Sequence, residues 1–329
     1  MHKYSTIHYL QNKIKRAAAA LPQEFADIPS LERYRLETRR ALADMLPVIK
    51  PSKNGDNKIV ASLPLGDDLL FEAADVCVDE DYYVCVHAYR PVNKAGKLPC
   101  VMICPGFSSY KNKQDYVDTA IAFAKAGYVA VVMEYTGTGE SASRPDYETD
   151  INNVATLAMM LGMSDIGLRV AHNTAALDYL KARDDVDIGR IGITGLCQGG
   201  IVLWYTAALC DDFAAVAPVC GVTTLEAEAC EYVNRQGGWT GASPFVHNIL
   251  KVADVGQLLA MLAPRPLLVQ NNITDIHWPM SGLQKAMDVT KKAYALYNAE
   301  DSAEFLLQHA EHKFYGFIPK LVAWFDAVL

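Results

Sequence analysis

The sequence predicts an α/β protein built on a doubly wound, mostly parallel sheet, with an N-terminal helical extension and a lid-like insertion. Three observations carry this. Short apolar runs at 98–104, 128–133, 191–196, 214–219, 266–271 and 303–308 have the length of strands covered on both faces. Segments of helical character at 114–127, 165–182, 279–297 and 315–327 separate them, which is the alternation of βαβ units. The run at 191–196 passes through small residues directly into a helix-compatible stretch at 201–209, as at a sharp strand-to-helix turn.

Taken in order, residues 1–50 read as amphipathic helices broken near Pro22 and Pro29, with Ser30 placed to cap a second helix at 31–45. They carry no recognisable site. They read as an extension packing on the main domain or on a second subunit of a homo-oligomer. Residues 51–70, with turns at Asn54-Gly55 and Gly66-Asp67, read as a polar connector. The predicted organisation is therefore an extension and connector at 1–70 and a main domain at 71–329. That domain opens with a β-hairpin: Ala74 to Val78, an acidic turn at Asp79-Glu80-Asp81, then period-two alternation from Tyr82 to Tyr89. The insertion falls at about 222–255. Its aromatic residues Tyr232, Trp239 and Phe245 with His247, among Gly237, Gly238 and Gly241, suggest a cover with flexible joints.

The chemistry is expected just after the strands, because ligands of such sheets bind outside their carboxyl ends. Gly195-Leu196-Cys197-Gln198-Gly199 has a nucleophile flanked by glycine two positions to either side, the spacing of a nucleophile elbow. The central residue of that turn is strained, so its neighbours must lack bulky side chains. The chain's 21 glycines and 8 cysteines in 329 residues give roughly 0.03 such matches by chance. A thiol nucleophile needs a base, and the base needs an orienting group. Asp275 is the only carboxylate near the end of strand 266–271, and His309 and His312 follow strand 303–308. His309 belongs to the strand end, whereas His312 lies in the loop beyond, where an imidazole can reach the thiol; His277 sits in the acid's own loop, lining the pocket. Two amides are expected to form an oxyanion hole: that of Gln198 at the helix start, and that of Phe107 in the loop 105–109, where Gly106 leaves room. Trp239 and Trp278 are the expected substrate-binding walls.

Composition narrows the class. Hydrophobic residues make up 51% and charged residues 21%, with a net charge of −8, which argues against nucleic acid or an anionic membrane as the main partner. No apolar run reaches the ~18 residues of a membrane span. The cysteines sit mostly inside apolar runs without Cys-x-x-Cys or Cys/His ligand spacing, so they read as reduced, with no metal or cofactor expected and a cytoplasmic location.

The set Gly-Leu-Cys-Gln-Gly-Gly at 195–200, Asp275 and His312, in that chain order, resembles the α/β-hydrolase superfamily. Its Cys-Asp-His combination resembles dienelactone hydrolases. The stretches 135–141 (Tyr-Thr-Gly-Thr-Gly-Glu-Ser), 186–192 and 263–268 are similar to the acetyl-esterase and acetyl-xylan-esterase-like branch. That resemblance implies Cys197 as nucleophile, His312 as base and Asp275 as its partner. Two departures stand out: that branch carries serine at the position of Cys197, and the histidine loop reads Glu-His-Lys-Phe instead of a Gly-His-Gly-Phe-like form.

A thiolate attacks readily but is also a good leaving group, so enol lactones, aryl esters and thioesters suit it better than amides or simple alkyl esters. The expected activity is hydrolysis of such a small-molecule ester, lactone or thioester through an S-acyl enzyme. Two other readings share the motif. The same Gly-Leu-Cys-Gln-Gly-Gly resembles the cysteine box of polyhydroxyalkanoate synthases, which implies acyl transfer to a hydroxyl. A hydrolase-fold binding protein without turnover is the third.

Overall fold

A computed structural model describes residues 5–46, 57–143, 150–232, 243–275 and 277–329. Among them runs one nine-stranded sheet in the order β1-β2-β3-β5-β4-β6-β7-β8-β9. The strands are β1 (Lys58–Leu65), β2 (Leu69–Asp79), β3 (Tyr82–Pro91), β4 (Leu98–Cys104), β5 (Val129–Val132), β6 (Val186–Leu196), β7 (Ala215–Val219), β8 (Leu267–Asn272) and β9 (Ala303–Gln308). The first three are antiparallel and join β5 antiparallel. From β5 to β9 every pairing is parallel. This is the expected α/β fold entered through a hairpin.

The sheet is covered by α3 to α10. The helices are α1 (Thr6–Ala19), α2 (Ile28–Met45), α3 (Gln114–Ala126), α4 (Ile151–Met160), α5 (Asp165–Lys181), α6 (Gln198–Leu209), α7 (Leu225–Ala227), α8 (Val255–Ala260), α9 (Met280–Leu296) and α10 (Ile318–Val328). Val101, Met102, Ile103, Val129 to Val132, Val216 and Val269 are fully buried, as central strands under helices on both faces require. No single helix among the described residues is long and apolar enough to cross a membrane.

The N-terminal helices pack on the main domain. Ser5 caps α1 by accepting from the His8 amide at 3.2 Å. The cap of α2 is Asp27, not Ser30: Asp27 accepts from the Ser30 amide at 2.8 Å while the Ser30 hydroxyl accepts from Asp27 at 3.1 Å. This is a capping box, and it lets Pro29 sit in the first turn, where no N–H is needed. Leu31, Leu42 and Leu46 are fully buried. The Arg39 guanidinium donates to the Ala208 carbonyl at 2.7 Å, at the far end of α6, and to Asp211 at 2.7 Å.

Three elements depart from expectation. The polar connector at 51–70 contains β1, which pairs with β2 along the sheet edge; residues 51–56 lie outside the described set. Its Ile59, Val60 and Leu63 are all exposed, so the strand lacks the alternation that marks one buried face. The helix α4 precedes α5 unannounced, with Leu157, Met159, Met160 and Leu161 exposed, a pattern that periodicity does not separate from loop. The insertion holds α7 and the start of α8, and its described parts are packed: Val222, Ser243 and Ala253 are fully buried. Trp239, Gly237, Gly238 and Gly241, on which the cover was expected to turn, lie outside the described residues.

Candidate active site

The parallel register brings five strand ends to one edge. Cys104 pairs with Gly195, Leu196 with Val219, and Asn272 with Gln308. The loops that begin there carry Gly106, Cys197, Cys220, Asp275 and His312.

Cys197 has φ 60° and ψ −121°, a left-handed backbone that costs a non-glycine residue on the order of 1–3 kcal/mol. The surrounding glycines show why the turn holds. A Cβ on Gly199 would lie 2.0 Å from the Cys104 carbonyl oxygen, and one on Gly195 would lie 2.5 Å from that of Gly199. Strand β4, the elbow and α6 therefore meet backbone to backbone. The Cys197 amide donates to the Val219 carbonyl at 3.0 Å, fixing the turn to β7. The sulfur is partly exposed and lines a cleft of about 410 Å³ with Gly106, Phe107, Tyr116, Leu196 and His312.

His312 and Asp275 meet across the loops after β9 and β8. His312 Nδ1 lies 2.5 Å from Asp275 Oδ2, and the ring lines the same cleft as Cys197. The Asp275 side chain is 2% exposed and that of His312 30%. Burial alone would raise the Asp275 carboxyl, but the hydrogen bond and charge of His312, aided by the His277 amide at 2.9 Å, hold it below its ordinary value. Burial opposes a charged His312, yet the hydrogen bonds from Asp275 and then Cys197 raise it from 6.5 to about 10. The aspartate side chain thus favours a protonated ring next to the sulfur.

This shift has a stability consequence with a definite sign. The folded pKa lies above the unfolded one, so the stabilisation is fully present below about 6.5 and fades as pH rises through about 10. Asp275→Asn is expected to flatten the loss of stability between these limits. Urea midpoints measured across that range check it; an unchanged slope would contradict the assignment.

Of the two expected oxyanion donors, Phe107 lines the cleft with Cys197, and Gln198 follows Cys197 in the chain without being among the cleft residues. Gln198 opens α6, where a first-turn amide has no intrahelical acceptor, and the positive end of the helix dipole points the same way. Phe107 sits in the loop after β4. A Cβ on Gly106 would lie 3.1 Å from the Cβ of Cys197 and 3.0 Å from the Leu196 carbonyl oxygen, so the loop is pressed against the elbow. Tyr116 Oη accepts from the Gly106 amide at 2.9 Å. Its neighbour Asp115 accepts from the Phe314 amide at 2.9 Å, and Asp118 from the Tyr315 hydroxyl at 2.9 Å. The first turns of α3 thus grip both the Phe107 loop and the His312 loop.

The remaining candidates separate. His309 is exposed just after β9 with no described contact to Asp275. His277 is exposed, its ring centroid 5.3 Å from that of His312. Trp278 is 5% exposed in the apolar core and is not among the residues lining the cleft. The Trp278 amide approaches the Asp275 carbonyl, and this tight turn directs its ring inward.

Several supporting residues were invisible to motif reading. The Gln198 side chain donates to Ser243 at 2.7 Å, and Ser243 donates to Asp165, which is paired with the fully buried Arg169. Lys111, buried, bridges Glu134 and Glu140 and ties the loop after β4 to the stretch 134–140. Cys220, fully buried at the end of β7 with φ 45°, has its sulfur within 4.8 Å of Asp275, and burial pushes its thiol up to about 12. Polar residues of this kind look like ordinary caps or core cysteines until the fold assembles them.

With this geometry in hand, the relatives can be placed. The model of the Dienelactone hydrolase family matches residues 85–236, from β3 through the elbow into the insertion. Among curated proteins, "Putative hydrolase YtaP" of Bacillus subtilis (strain 168) is 26% identical over 179 residues, 54% of this chain and 56% of that protein. "Probable 2-oxo-3-(5-oxofuran-2-ylidene)propanoate lactonase" of Bradyrhizobium sp is 32% identical over 114 residues, 34% of this chain and 41% of that protein. The chain thus spans about half the length of the curated relatives it matches, or less. Among solved structures, an acetyl xylan esterase, so described, of Bacteroides fragilis NCTC 9343 superposes with TM-score 0.77 at 16% identity, covering 94% of this chain and 83% of that one. Methylesterase BT1017 gives 0.76 at 22% identity, covering 96% and 68%. The solved structures show that the chain shares their α/β fold.

Proposed function

We propose that this chain is a hydrolase of activated carboxylic esters, lactones or thioesters that works through an S-acyl-cysteine intermediate. The observation that carries the reading is the partly exposed Cys197 on its strained turn, in one cleft with a His312 whose Nδ1 is held by Asp275 at 2.5 Å. The family match and the esterase fold of the neighbours support hydrolysis. One relative carries a lactonase name, in keeping with a lactone among the substrates.

In the proposed cycle, His312 serves as the base for the Cys197 sulfur. The thiolate attacks the acyl carbon, and the amides of Phe107 and Gln198 stabilise the oxyanion. His312 gives its proton to the leaving oxygen or sulfur, then takes one from the water that cleaves the thioester, while Asp275 keeps the ring oriented. Because sulfur departs more readily than an alkoxide, collapse goes forward only when the leaving group is an enolate, phenolate or thiolate. No step calls on a cofactor.

The test is mass spectrometry of the protein after brief exposure to p-nitrophenyl acetate, with acid quench. An acetyl increment confined to the peptide bearing Cys197, decaying to free acetate, is the expected result. Acetylation elsewhere, or none, overturns the assignment. Transfer of the acyl group to an added alcohol in preference to water would make the protein an acyltransferase.

A further inference from the structure

One thiol beside the dyad, that of Cys220, is not used by the acyl chemistry. Cys220 Sγ, an Asp275 carboxylate oxygen and a His312 ring nitrogen all lie within 4.8 Å of one another, the one such group of ligand atoms among the described residues. They come from three separate loops, those after β7, β8 and β9, set side by side by the parallel register. Sulfur, nitrogen and oxygen donors in this combination match a borderline-soft ion such as Zn²⁺ and not Mg²⁺ or Ca²⁺, which take oxygen.

We propose that Cys220, Asp275 and His312 form a binding site for a divalent cation of the Zn²⁺ type, which shares His312 with the cleft and adds the Cys220 thiol behind it. In a tetrahedral Zn²⁺ site donor atoms stand roughly 3.3–3.8 Å apart, so Cys220 closes in by about 1 Å or less while Asp275 and His312, 2.5 Å apart in their hydrogen bond, part by a similar amount. The fourth position is left for water. Binding releases the Cys220 thiol proton and the proton on the coordinating His312 nitrogen to solvent; no electron moves. The ion enters past His312, the most exposed of the three, since Cys220 is fully buried and the Asp275 side chain is 2% exposed. Once bound, it takes Asp275 and the ring nitrogen away from each other, and the ring from Cys197. Metal binding is a property of the ligand set alone and goes beyond the catalytic reading; the consequence for turnover rests on that reading.

Titration of the full chain with Co²⁺, free of thiols and chelators, tests the site directly. One equivalent is expected to produce the visible bands of tetrahedral cobalt together with a near-ultraviolet thiolate-to-cobalt band, both displaced by Zn²⁺. Cys220→Ser removes the thiolate band, and His312→Gln weakens the affinity at least tenfold. Cys197→Ser leaves the spectrum unchanged. Circular dichroism establishes that each variant is folded; should Cys220→Ser fail that check, His312→Gln decides alone, because the half-exposed loop tolerates the change. A thiolate band that survives Cys220→Ser, one lost in Cys197→Ser, or an affinity unaltered by His312→Gln overturns the proposal. In parallel, micromolar Zn²⁺ should abolish ester turnover reversibly on addition of chelator. Failure of that effect with cobalt binding intact would count against the catalytic reading and not against the metal site.

Discussion

Cys197→Ala should lower kcat for p-nitrophenyl acetate by about ten-thousand-fold or more, the scale of losing a nucleophile that acts as one unit with its base. His312→Ala should fall to a similar residual rate, and the double variant no further, since once either member is gone the other has nothing to act on. The residual rate reflects the Phe107 and Gln198 amides, which survive both changes. Stopped-flow and steady-state rates at saturating substrate check this. A Cys197→Ala protein within tenfold of the parent would remove the thiol from the mechanism and leave His312 to be explained otherwise. The elbow geometry makes the test clean: Ala at position 197 keeps the backbone turn at φ 60°, anchored by the amide bond to Val219 at 3.0 Å.

The largest structural effect is expected from Gly199→Ala. The added methyl carbon would stand 2.0 Å from the Cys104 carbonyl oxygen and 2.7 Å from that of Pro105. All of these are backbone atoms of the central strand and the loop after it, so no side chain can rotate away. Overpacking that moves backbone costs about 3 kcal/mol or more. A change of that size should shift the thermal midpoint downward by about 4 °C or more in a chain of this length. Differential scanning calorimetry would show it, with kcat falling in step as the elbow shifts. Gly189→Ala, where the nearest atom is the tip of Asp187 at 3.5 Å, provides the comparison and should be close to neutral. Equal midpoints for the two variants would mean that β4 and α6 are not held together at Gly199.

How much of this was legible in the residues themselves depends on how local the cause is. The elbow could be read because its steric demand is written within five positions, Gly195 to Gly199. The pairing of Asp275 with His312 could be anticipated because a parallel sheet sends consecutive strand ends to one edge, so loop order becomes spatial neighbourhood. The buried strands were plain from their continuous apolar runs. The edge strand β1 was not, because neither of its faces is covered and Ile59, Val60 and Leu63 resemble surface residues. Asp27 was missed as a cap for a related reason, since Ser30 is also a competent cap and only the backbone angles choose between them. Trp278 looked like a pocket wall because it adjoins the acid, yet a single turn decides on which side of the chain an indole falls. Cys220, Ser243, Asp165 and Arg169 support the site across 45 to 78 positions of sequence. No periodicity records contacts of that range.

The grip of α3 on two loops has a consequence for how such a site can change. Tyr116 and Asp115 are adjacent on one helical turn, and one steadies the Phe107 loop while the other steadies the His312 loop. In the proposed cycle, a shift of that helix alters acylation and deacylation together. Selectivity therefore has to be tuned elsewhere, in the walls of the cleft, because the mechanical frame offers a single adjustment shared by both half-reactions.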